Sequence, residues 1–144
     1  MTSATERRLL EAAGEIFADK GFEKATVREI CAKAGANVAA VNYHFGDKLG
    51  LYKAVLVELF RQACQGAVAE TEPVGPPEVW LRAMVLERLR ICRSLDEGDW
   101  RERLVSREMA EPTQALAEVT RTVILPLARR LTDIVRELLG DPPA

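Results

Sequence analysis

Residues 26–45, TVREICAKAGANVAAVNYHF, carry the pattern on which the reading of the whole chain depends. Thr26 with Glu29 three residues later is the spacing of a capping box, so a helix is expected to begin there. Val27, Ile30, Cys31 and Ala34 recur at helical spacing and give that helix one apolar face. Gly35 permits a tight turn, and Asn37 is placed to cap a third, short helix running from Val38 to about His44. Cys31, four residues before the glycine, is small enough to sit where two helices cross. Val41, six residues after it, is the apolar anchor of the second helix. The segment predicts two short helices joined by a turn, with Val38, Ala39, Asn42 and Tyr43 turned outward.

That outward face suggests a chemistry. A short helix held by its neighbours in this way fits the major groove of double-stranded DNA. Asn42 has the paired donor and acceptor that match adenine, and Val38 and Ala39 match a thymine methyl. Asn37 stands at the entry to the same helix. Thr26 and the amides at its helix start suit a phosphate oxygen. Arg28 reaches either a phosphate or a guanine edge, while Tyr43, His44 and Lys48 are expected to meet the sugar–phosphate backbone. The plainer readings are a bundle of three helices with no ligand and, for His44 beside Phe45, a packing ring.

Composition narrows the alternatives. The chain has 144 residues, 48% hydrophobic and 29% charged, with few aromatics. That is one ordinary domain's worth of sequence, and its Leu-, Ala-, Val-, Glu- and Arg-rich runs favour an all-α fold of about seven helices. Net charge is −2, and the first sixty residues carry eight basic and eight acidic side chains. This balance counts against charge-driven coating of nucleic acid; attraction to phosphate must come from a few placed groups. The single histidine and the scattered Cys31, Cys64 and Cys92 offer neither a metal set nor a nucleophile–base pair. With no glycine-rich phosphate loop and no paired catalytic groups, no enzyme activity, metal or cofactor is expected. The odd cysteine count and the lack of a signal peptide suggest a reducing cytoplasm. No apolar run reaches the roughly 18 residues of a membrane helix, so no membrane partner is expected.

Around the central segment, a first helix is expected from Thr5 to Lys20, with Leu9, Ala13, Ile16 and Phe17 facing a core. Gly21 supplies a left-handed stop, and Phe22 folds back on the last turn. Asp47 caps a fourth helix carrying Leu51, Val55, Leu56, Leu59, Phe60 and Ala63. Residues 71–77, TEPVGPP, form the clearest break. A fifth helix follows, then a shorter one from Trp100 to Glu111 that Pro112 ends. The last helix runs from Thr113 to Leu139, and Pro126 inside it predicts a kink or break. Trp80, Met84, Arg88, Trp100, Arg107 and Glu108 are the hints of a small-molecule pocket. A Trp and Met stripe at helical spacing also fits a core, and Arg107 with Glu108 also fits a solvated face. The expected division is residues 1–46 as the DNA-binding domain and 47–144 as a helical regulatory domain.

The stretches ERRLLEAAGEIFADKGFEKATVREICAKAG (Glu6–Gly35) and NVAAVNYHFGDKLGLYKAV (Asn37–Val55) resemble the DNA-binding domain of the tetracycline-repressor (TetR) family. Members commonly end the third helix with Tyr-Tyr-His-Phe, a small pair and Lys; here Asn42 replaces the first tyrosine, a phosphate contact in the family. The departure opens base reading at that position. SREMAEPT (Ser106–Thr113) and VTRTVILPLARRL (Val119–Leu131) resemble one subgroup of the same family. The resemblance implies a helical effector domain whose small molecule loosens the grip on DNA. It also implies two further helices that pair two copies, so the chain is short at its C-terminal end; either it is a fragment or its dimer interface differs. The leading expectation is a ligand-responsive repressor, binding a near-palindromic operator as a homodimer and released by an effector. The alternative is a helical protein-interaction module without DNA binding.

Overall fold

Ser3 starts the first helix through a reciprocal cap: its hydroxyl accepts the Glu6 N–H at 3.1 Å, and the Glu6 carboxylate accepts the Ser3 N–H at 3.2 Å. The resulting α1 spans Ala4–Lys24 and begins one residue earlier than the apolar pattern predicts. In the computed structural model the described residues are 3–64 and 99–140, together with 76, 78–79, 81–83 and 85–86. Every regular element among them is helical.

Gly21 breaks α1 internally, at φ 76° and ψ 167°. The sequence predicts a left-handed stop; the observed pair of angles is the extended, positive-φ region that only glycine occupies readily. The bend brings Phe22 to 6.2 Å from Phe17 and 5.0 Å from Tyr52, measured between ring centroids. Phe17 and Tyr52 meet edge to face at 4.8 Å, a geometry that contributes about 0.5–1.5 kcal/mol beyond area burial.

The next three helices are α2 (Val27–Ala34), α3 (Val38–Phe45) and α4 (Lys48–Cys64). Each begins on a side-chain cap. Thr26 and Glu29 form the reciprocal box of α2, the Asn37 side chain accepts the Ala40 N–H at 2.9 Å, and Asp47 accepts the Gly50 N–H at 2.7 Å. Gly35 lies in the left-handed region at φ 60°, ψ 40° and turns the chain from α2 into α3.

Beyond residue 98, α5 spans Trp100–Ala110 and starts on Asp99, which accepts the Arg101 N–H at 3.0 Å. The chain then runs through α6 (Ala115–Val119), a π-helical turn (Thr120–Ile124) and α7 (Leu125–Leu139). Regular α-helix is interrupted just ahead of Pro126, where the sequence predicts a kink or break. The helix widens one turn ahead of the proline, where the Leu125 N–H reaches back five residues to the Thr120 carbonyl. Pro126 then enters at the first turn of α7, where its missing N–H costs least.

One buried cluster unites α1 to α6. Leu9 and Phe17 of α1, Ile30 of α2, Val41 of α3, Leu51 and Leu56 of α4, Leu104 of α5 and Val119 of α6 all belong to it. The predicted anchors are therefore mostly interior, with Ile16, Val27 and Phe60 only partly so. Tyr52 and Glu108, which periodicity does not single out as core, are fully enclosed.

Candidate nucleic-acid interface

The side chains of α3 divide sharply. Val41 is 0% exposed and joins the core, whereas Tyr43 is 85% exposed and Val38 46%. Ala39 and Asn42 are exposed as well. An eight-residue helix that buries one side chain has nearly its whole outer face free. Caps at both ends hold it: Asn37 at the start, and at the close the Gly46 N–H on the Asn42 carbonyl at 3.1 Å, with Gly46 at φ 82°. His44 is half-buried, its ring 5.0 Å from the Tyr43 ring in an edge-on arrangement.

Two of the groups expected on the phosphate side make contacts within the fold. Thr26 is exposed, but its hydroxyl and N–H are both bonded to the Glu29 carboxylate, at 2.8 Å and 3.2 Å. Lys20 holds the same carboxylate at 2.5 Å. Lys20 first and Thr26 second keep Glu29 below its ordinary pKa, so an anion of the chain itself sits at this helix start. Lys48 was expected at the DNA backbone. Its ammonium instead donates to the carbonyls of Phe22, Glu23 and Ala25, at 2.9, 3.3 and 3.2 Å, and lies over the Phe22 ring. An ammonium has three protons, and all three are committed to closing α1 against α4. Arg28 remains exposed, with no hydrogen bond or ion pair among the described residues.

Behind this face, α5 is strapped to α1. Arg101 donates to both oxygens of Glu11, at 3.1 and 3.2 Å, the Trp100 indole N–H donates to the same carboxylate at 3.3 Å, and Arg103 meets Asp19 at 2.7 Å. The Trp100 ring lies on Gly14, where a Cβ would fall 2.2 Å from it. Glycine is costly inside a helix, and Gly14 was the overlooked sign of this close approach.

Of the six pocket residues only Trp100, Arg107 and Glu108 are described, and these three face different neighbours. Trp80, Met84 and Arg88 lie outside the described residues. Trp100 faces α1, and Arg107 is exposed beside Gly21. Glu108 is 0% exposed; the solvated-face reading is thus corrected for Glu108 alone. Its carboxylate accepts the Tyr52 hydroxyl at 2.7 Å and the Thr113 N–H and hydroxyl at 2.9 Å each. Three donors satisfy it, one from Tyr52 across the core and two from Thr113 just after α5, the arrangement a buried carboxylate needs. Burial first, then the Glu108 hydrogen bond, pushes the Tyr52 phenol well above its ordinary pKa.

Comparison with known proteins places both halves. Residues 9–55 match the family model of bacterial regulatory proteins, tetR family. Residues 77–144 match that of the C-terminal domain of the HTH-type transcriptional dual regulator CecR. The chain is 32% identical to the dual regulator CecR of Shigella flexneri, over 94% of its own length and 65% of the relative's. It is 47% identical over 53 residues to the HTH-type transcriptional activator FasR of Mycolicibacterium smegmatis, covering 35% of this chain and 24% of that one. The crystal structure of an HlyIIR mutant protein superposes with a TM-score of 0.56 at 21% identity, over 94% of this chain and 75% of that one, a likeness of fold. The chain thus spans about two thirds of the CecR relative.

Proposed function

We propose that this chain, which belongs to the tetR family of bacterial regulatory proteins, is a transcription regulator that reads double-stranded DNA with the outer face of α3. The observation that carries the proposal is the exposure of Val38, Ala39, Asn42 and Tyr43 on a helix whose Val41 is fully interior. Asn42 reads an adenine edge, and Val38 and Ala39 contact thymine methyls. Tyr43, His44 and Arg28 set the register on phosphates, with Asn37 at the groove edge. Because Thr26 and Lys48 are engaged within the fold, they act by holding α2 and α4 in place rather than as phosphate donors.

Two copies would place two α3 helices one turn of DNA apart, roughly 34–36 Å, or a multiple of that, on a near-palindromic operator. The sign proposed is repression, relieved by a small-molecule effector bound in the helical region 47–144 of a cytoplasmic homodimer. Among the described residues no helix is long and apolar enough to cross a membrane. Relief works only if the effector prefers the state that misplaces the α3 helices. Footprinting on the DNA flanking the chain's own coding region tests the proposal: a protected, near-symmetric site is expected. Failure of the protein to protect any segment, at low salt and high concentration, would favour the interaction-module reading. A reporter driven from that site gives the sign of regulation.

A further inference from the structure

We infer that the cleft between α1, α4 and α5 is a binding site for a small amphipathic anion, a carboxylate with an apolar tail. Its volume is about 360 Å³, within the roughly 300–1,000 Å³ range of small-molecule sites. Leu10, Val55, Leu59 and Trp100 give it an apolar interior. Such a surface accepts an alkyl or aromatic body.

The rim determines the sign of the head group. Its two acids are already engaged: Glu11 by Arg101 and Trp100, Glu58 by Gln62 at 2.9 Å and Arg61 at 3.7 Å. Arg101 is spent on Glu11 and Asp99 and stacks over the Trp100 ring at 4.5 Å. Arg7, by contrast, lines the cleft with no side-chain hydrogen bond or ion pair among the described residues. The unspent charge at the mouth is therefore a cation, and it selects an anion. Neither a neutral alcohol nor an ammonium of the same length satisfies it.

The position matters as much as the chemistry. The cleft is walled by α1, which belongs to the DNA-reading half, and by α4 and α5, which lead away from it. An occupant wedged between Leu10 and Leu59 acts on the seam that the Glu11–Arg101 pair closes. This consequence rests on the regulatory reading above, whereas the site itself does not.

Titration calorimetry of the chain without DNA tests the site, using decanoate, 1-decanol and decylammonium as probes. Saturable one-to-one binding of decanoate is expected, with the other two at least about five-fold weaker, the difference one partly exposed charge pair makes. R7Q should lose that preference, R7K should retain it, and R129Q, on the exposed face of α7, should match the parent. Equal binding of decanol, or an R7Q variant that binds decanoate like the parent, would overturn the inference. Decanoate is then added to the footprint. A protein that binds decanoate but protects no DNA refutes the regulator and leaves the site standing. One that protects DNA but ignores decanoate does the reverse.

Discussion

Two helices of equal length, α2 and α3, lie side by side and use their surfaces in opposite ways. α2 buries Ile30, Cys31 and Ala34, whereas α3 buries Val41 alone. The first is part of the scaffold, and the second is presented by it. The same division runs through the charged groups: Lys48 and Glu108 are committed to the interior of the structure, while Arg28 has no partner among the described residues. A reading surface needs side chains that are rigidly placed yet unspent, and the cost of that rigidity is met by their neighbours.

The contrast can be broken most severely from the α2 side. Ile30→Ala should destabilise the chain by about 2–5 kcal/mol, because a 0%-exposed side chain leaves a cavity; chemical denaturation measures it. Tyr52→Phe should cost about 1–3 kcal/mol, since it leaves the buried Glu108 carboxylate short of a donor. Its pH signature is distinct. The native phenol titrates above its ordinary value, so the unfolded chain releases the proton first and the native state holds more protons. Stability should then fall as pH rises through about 10, and Tyr52→Phe should lessen that fall, leaving the part that the buried Cys31 thiol adds. A parent whose midpoint is flat from pH 9 to 11 would contradict the burial of this pair.

On the α3 side the expectation inverts. Asn42→Ala should leave the unfolding midpoint within about 0.5 kcal/mol and cost about 1–3 kcal/mol of discrimination at one base pair. If it unfolded the protein instead, the two helices would not differ as described. Thr26→Ala should lose about 1 kcal/mol of stability through its cap and leave base preference unaltered. The smallest effect separates two cations. Arg28→Gln should lower the salt slope of DNA binding by about 1, while Lys48→Gln should lower thermal stability and leave the slope unchanged. An equal loss of slope in both would return Lys48 to the phosphate contacts.

Much of this was legible before any coordinates, because it is local. Capping boxes, glycines and apolar spacing act over three to seven residues. Thr26, Gly35, Asn37 and Val41 therefore specify α2, the turn and α3 from the chain alone, and the outward set follows from what is left over. Even the presence of a special feature at Gly21 was readable, though not its extended ψ. At Pro126 the local penalty is read from the sequence, whereas the form of the interruption, a widened turn over Thr120–Ile124, is not.

What only tertiary structure decided concerns groups that meet across long stretches of chain. Lys48 finds a carbonyl 26 residues away, Tyr52 a carboxylate 56 away and Trp100 another 89 away. A lysine, a glutamate or a tryptophan looks the same in sequence whether it is spent or free. The sequence by itself determined which helices form and which face of α3 has no apolar claim on it. Packing decided which charges remain available, because a hydrogen-bonding group is used up only by the partner that folding brings to it.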